Sequence, residues 1–95
     1  MNQCKLNIGD VVLSKKGRDS NNYFMVVAIE NGDFVYVSDG KKHVLAKPKK
    51  KNVKHLSYAN AHLDGISDKL QKGLKVFDSE VKSALRQFNE PSQNN

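Results

Sequence analysis

Two β-prone runs, Tyr23 to Ile29 and Phe34 to Val37, flank Glu30-Asn31-Gly32-Asp33. An Asn-Gly pair between two such runs is the strongest short-range signal for an antiparallel hairpin, so any fold of this chain has to contain one. In the second run Phe34 and Tyr36 face one way and Val35 and Val37 the other, which suits a curved sheet with one face in a core and the other partly covered. Ile8-Gly9-Asp10 leads into Val11-Val12-Leu13, a first strand over residues 10–14 that gives way to Lys15-Lys16-Gly17. Asp39-Gly40 turns the chain again, His43 to Ala46 reads as a fourth strand ended by Pro48, and Val53 to Leu56 as a short fifth. Five strands between residues 10 and 56 predict a small closed or nearly closed barrel, an arrangement that removes most exposed edges.

Beyond that segment the hydrophobic period changes. Ile66, Leu70, Leu74, Phe77, Val81, Leu85 and Phe88 recur at spacings of three and four, the pattern of an amphipathic helix. Gly73 inside one long helix would cost about 1 kcal/mol. Two helices, over 62–72 and 79–89, instead give Gly73 the place of a left-handed stop and Asp78 that of an N-cap. Their apolar stripe is expected against the barrel wall or the partner helix. The predicted fold class is mainly β with C-terminal α: residues 1–56 form the barrel, and 57–95 a helical extension with a frayed tail from about residue 90.

Length and composition exclude several functions. A barrel of this size buries only about 60% of the surface its unfolded chain exposes, which leaves no room for a deep catalytic cleft. The longest apolar run, Phe24 to Ile29, is far short of the roughly 20 residues of a membrane span. No signal-type apolar core follows Met1, and Cys4 is the single cysteine. A cytoplasmic protein without disulfides or membrane contact is expected. His43, His55 and His62 find no second group at a spacing that would make a nucleophile or an acid–base pair. His55 and His62 lie seven apart with no second ligand pair, so no zinc site is expected. Gly40-Lys41-Lys42 lacks the upstream glycine and the Ser/Thr of a phosphate loop. The chain is expected to be no enzyme, and to need no cofactor, metal or small-molecule substrate.

Charge supplies the positive indication. Residues 1–56 hold 11 Lys and Arg against 5 Asp and Glu, residues 57–95 hold 5 against 5, and the whole net charge of +6 therefore lies in the first segment. Lys41, Lys42, Lys47, Lys49, Lys50, Lys51 and Lys54 fall in a stretch with no acidic residue, followed by His55. Lys15, Lys16 and Arg18 form a second cluster in another turn. Flexible ammonium groups facing a nucleic-acid backbone gain affinity by releasing its counterions, without reading bases. Tyr23, next to the second cluster, is the aromatic placed to stack on an unpaired base, while Phe24 and Phe34 are expected in the interior. Barrel closure would bring both clusters to one face.

Ile8 to Ser14, Gly17-Arg18-Asp19, the Tyr23 to Ile29 strand, the hairpin and Val37-Ser38-Asp39-Gly40 together resemble the KOW motif of ribosomal and transcription-associated proteins. Lys47-Pro48-Lys49-Lys50-Lys51 and Lys54-His55-Leu56 are similar to the signature of small KOW-containing RNA-binding proteins of Gram-positive bacteria, and the likeness extends to KOW ribosomal proteins of the large subunit. It covers about residues 6–56. The resemblance implies an SH3-like barrel and non-catalytic binding of structured, ribosomal RNA on a ribosome-associated protein, with Gly17 letting backbone approach a phosphate that Arg18 and the lysines hold. Where such proteins place a second glycine after Gly-Arg-Asp, this chain has Ser20-Asn21-Asn22, and Asn21 is the residue able to adopt the positive φ. The alternatives are a DNA-binding small barrel on the same basic surface, and an adaptor that docks on ribosomal proteins or RNA polymerase.

Overall fold

The computed structural model describes residues 6–18 and 20–89. Cys4, Asp19 and the tail expected from residue 90 lie outside the described residues. Five strands, β1 (Asp10–Ser14), β2 (Tyr23–Ile29), β3 (Phe34–Ser38), β4 (Lys49–Asn52) and β5 (Leu56–His62), form one antiparallel sheet in the order β4-β3-β2-β1-β5. A single 3₁₀ turn, Val53–His55, joins β4 to β5, and two helices follow, α1 (Asp64–Gln71) and α2 (Asp78–Asn89).

The sheet is open, with β4 and β5 as its edges, and the expected closure into a barrel does not form. Curvature comes instead from register shifts between Val26 and Ala28 in β2 and between Asp10 and Val12 in β1. Such irregularities bend a strand and raise its local twist. The bent sheet has a core on each face. Val12, Phe24, Val26, Val35, Val37 and Leu56 cluster on one side, with Leu6 and Val53 at its margin. Val11 and Met25 point the other way, where Val81 and Leu85 of α2 cover them. Alternation along β1 and β2 dictates this division, since adjacent side chains leave a strand on opposite faces.

The hairpin forms as expected, but its loop is not a two-residue turn. Glu30 and Asn31 donate their amides to the Phe34 carbonyl, and the Asn31 side chain accepts the amides of Asp33 and Phe34. Residues 43–46 are not a strand; they belong to a turn that ends at Pro48, and the all-polar Lys49–Asn52 segment pairs with β3 in their place. The expected fifth strand over 53–56 is the 3₁₀ turn plus the start of β5, which carries the sheet on to His62. Phe34 is half-buried rather than interior, because it lies on the face of β3 opposite Val35 and Val37.

Both helices form close to the expected positions. Gly73, with φ of +72°, follows α1 as the left-handed stop. Asp78 is the first residue of α2 rather than the expected N-cap, and its carboxylate accepts the Leu45 amide of a neighbouring loop at 2.7 Å. Ile66, Leu70, Val81, Leu85 and Phe88 pack on the sheet, whereas Leu74 and Phe77, in the linker between the helices, are exposed. The straight stripe of the sequence is broken there because the helix is.

Candidate functional site

β4 is the most cationic element of the sheet and lies at its edge, paired on one side only. Lys49 and Lys51 stand opposite Val37 and Val35, and Lys50 opposite Tyr36. Directly paired residues share a face, so Lys50 leaves the sheet on the side away from Lys49 and Lys51. The cations of β4 therefore straddle a rim, and the single face expected from the sequence is corrected to an edge. Lys50 is held locally. Its Nζ lies 3.3 Å from Glu30 Oε2 and 4.8 Å from the centre of the Phe34 ring. The Tyr36 hydroxyl donates to Glu30 Oε1 at 2.7 Å. That hydrogen bond, followed by Lys50, holds the Glu30 carboxyl below its ordinary value, and the same bond pushes the Tyr36 hydroxyl up.

The rim continues into the 3₁₀ turn and from there to the β1–β2 loop. Asn52 accepts the Lys54 amide at 3.0 Å and so caps the turn, while the Val53 amide bonds the Asp33 carbonyl at 2.8 Å. Lys15 donates its amide to the His55 carbonyl at 2.9 Å. The basic segment that begins at Lys15 is thus tied by its backbone to the turn that carries Lys54 and His55, although about 40 residues separate the two in sequence. Gly17 has φ of +83°, and among the described residues no atom beyond its chain neighbours lies within 4 Å of where a Cβ would stand, so the turn rather than packing there calls for glycine. Asn21 adopts φ of +70°, supplying the left-handed residue that the loop requires. Its amide closes the loop onto the Ser14 carbonyl at 2.8 Å.

At the other end of β4 the chain forms a tight loop around Asp39. One carboxylate oxygen of Asp39 accepts the amides of Lys41, Lys42 and His43 at 2.9, 3.0 and 2.9 Å. Ser38 accepts the Gly40 amide and donates to the His43 carbonyl, and the His43 ring tilts against Phe24 at 5.8 Å. Lys47, exposed, follows in a turn closed by its amide on the Val44 carbonyl. The loop rests on α2, where Asp39 and Lys41 share a crevice of about 20 Å³ with Lys82, Leu85, Arg86 and Asn89.

Chain order and the Lys15–His55 hydrogen bond link the expected residues, Tyr23 excepted. Lys41, Lys42 and Lys47 lead into Lys49, Lys50 and Lys51, then Lys54 and His55, then Lys15, Lys16, Gly17 and Arg18. Tyr23 stands apart: it is half-buried, its ring tilts against Phe88 at 5.4 Å, and its backbone is bracketed by the Asn89 amide at 2.7 and 3.2 Å. Sequence reasoning missed Lys82 and Arg86, because the balanced charge of the second segment concealed that two of its cations face the Lys41 loop. It also missed the link between Asp10 and His62. Asp10, 5% exposed, accepts the Asn7 amide at 2.8 Å and stands 2.7 Å from His62 Nδ1, while His62 Nε2 lies 3.5 Å from Asp64. This arrangement fixes the start of β1 to the end of β5. No family model matches the sequence, and no curated protein matches it closely enough to count as a relative.

Proposed function

We propose that the protein binds structured RNA without catalysis, through the cationic rim that runs from the Lys41 loop along β4 and the 3₁₀ turn to the β1–β2 loop. The observation that carries this reading is the Lys15–His55 hydrogen bond, which ties together two basic segments remote in sequence. Lysines at a strand edge and in loops offer ammonium groups to successive phosphates, and a bent rim suits the shape and 2′-hydroxyls of folded RNA better than base reading in a groove. The sequence likeness of residues 6–56 to the KOW motif supports a place on or near the ribosome, and together with the five-stranded antiparallel sheet it supports an SH3-like scaffold left open at its edges. Ribosomal RNA is the proposed ligand class, and Lys49, Lys51, Lys54, Lys15, Lys16 and Arg18 are the proposed phosphate contacts. Replacing Lys49, Lys51 and Lys54 with Glu abolishes retention of structured RNA and leaves the fold intact on this reading; unchanged retention contradicts it.

One observation favours a second reading, docking on a ribosomal protein or polymerase. Leu74 and Phe77 are 56% and 57% exposed on the linker between the helices. In that case replacing both with Ser preserves RNA affinity but removes co-sedimentation with ribosomal particles.

A further inference from the structure

We infer that α2 takes part in the same contact, through a phosphate-binding crevice formed by Lys41, Lys82 and Arg86; this deepens the RNA-binding reading and rests on it. Lys82 and Arg86 are one helical turn apart on α2, so both side chains leave the same face. Lys41 reaches that face because Gly40 lies directly on the helix. A Cβ at Gly40 would collide with the Asp78 carbonyl and stand 2.7 Å from the Lys82 amide, and φ of +75° there further favours glycine. The loop is held in this position by Asp78, which accepts the Leu45 amide.

Among the described residues, three cations and one carboxylate, Asp39, line the crevice, a balance of +2. Asp39 opposes an anion less than an open carboxylate would, since one oxygen already accepts three backbone amides. Among the described residues no ion pair joins Lys41, Lys82 or Arg86 to an acid. The other helix cations differ: Lys69 is paired with Glu80 at 2.8 Å and Lys72 with Asp68 at 3.1 Å. Asn89 bounds the crevice, its own side chain already committed to the Tyr23 backbone. A space of about 20 Å³ admits one water-sized group, which matches a single phosphate oxygen with the rest of the phosphate outside, reached by the Arg86 fork. The crevice lies at the Lys41 end of the rim, where an RNA backbone following β4 would pass on to α2.

The test compares RNA affinity against salt for the full chain, for Lys82→Gln with Arg86→Gln, and for Lys72→Gln with Lys75→Gln, a pair that removes the same charge elsewhere. A structured ribosomal RNA fragment is the probe. The Lys82/Arg86 variant is expected to bind more weakly and to lower the slope of log affinity against log salt by about 1, as loss of one phosphate contact does. The Lys72/Lys75 variant is expected to keep the slope of the unaltered chain. Equal effects of the two variants, or none from Lys82/Arg86, overturn the crevice while the rim stands. Failure of the unaltered chain to bind the RNA overturns both.

Discussion

Asp78, the first residue of α2, accepts the Leu45 amide across 33 positions of sequence at 2.7 Å, and by doing so anchors the Lys41 loop to the helix that covers the sheet. The carboxylate also sits at the positive end of the helix dipole, which favours its charge. Asp78→Ala leaves a half-buried amide without its acceptor and removes that favourable charge. A loss of about 1–3 kcal/mol is expected in urea unfolding. Asp78→Asn, which retains an acceptor, is expected to recover most of it.

Leu85 is 1% exposed between α2 and the Val11–Met25 face of the sheet. Leu85→Ala opens a cavity there and is expected to cost about 2–5 kcal/mol. Chemical denaturation with an unchanged m-value would show that the helix belongs to the same cooperative unit as the sheet; a separate early transition would show that it does not.

Asn21 holds φ of +70° in the β1–β2 loop, a conformation that costs an ordinary side chain about 1 kcal/mol. Asn21→Ala is expected to destabilise the fold by roughly that amount, and Asn21→Gly to be neutral or slightly stabilising. In thermal unfolding, Asn21→Ala then lowers the midpoint and Asn21→Gly does not if the loop depends on the left-handed residue.

Glu80 accepts from Lys69 at 2.8 Å and from the Phe77 amide at 3.1 Å, and these bonds, Lys69 first, hold its carboxyl below the ordinary range. A depressed carboxyl contributes stability that is present above its unfolded value and lost as pH falls through the folded one. Acidification through and below the ordinary glutamate range should therefore free the Phe77 amide, seen as faster hydrogen exchange in the linker between the helices. Lys69→Met is expected to raise the Glu80 titration midpoint toward that of a free glutamate.

The Tyr36 hydroxyl is the main cause of the low Glu30 carboxyl beside Lys50. Tyr36→Phe removes the donor, so the Glu30 midpoint followed by NMR should move up. Lys50 loses no partner in this variant, and RNA affinity is expected to stay unchanged.

Much of the scaffold was legible because period and turn chemistry agree locally. The Asn31-Gly32 hairpin, the left-handed Gly73 and the buried Val81 and Leu85 of α2 follow from patterns a few residues long, whereas the buried Ser67 of α1 carries no such signal. His43 to Ala46 has strand-like composition and Lys49–Asn52 has none, so composition points to the wrong segment for the fourth strand; pairing with β3 overrides propensity there. Closure is not legible for a related reason: strand count alone does not fix whether the edges meet. The lysines were visible, but their split across two faces depends on register, and the part played by Lys82 and Arg86 depends on a contact between Gly40 and α2 that no local pattern encodes.

Affinity for a structured ribosomal RNA fragment, measured across a potassium chloride series, decides whether the cationic rim gathers RNA phosphates. If the rim engages four or more phosphates, log affinity falls linearly with log salt at a slope of about −3 or steeper. A slope near zero, or no saturable binding at low salt, contradicts it.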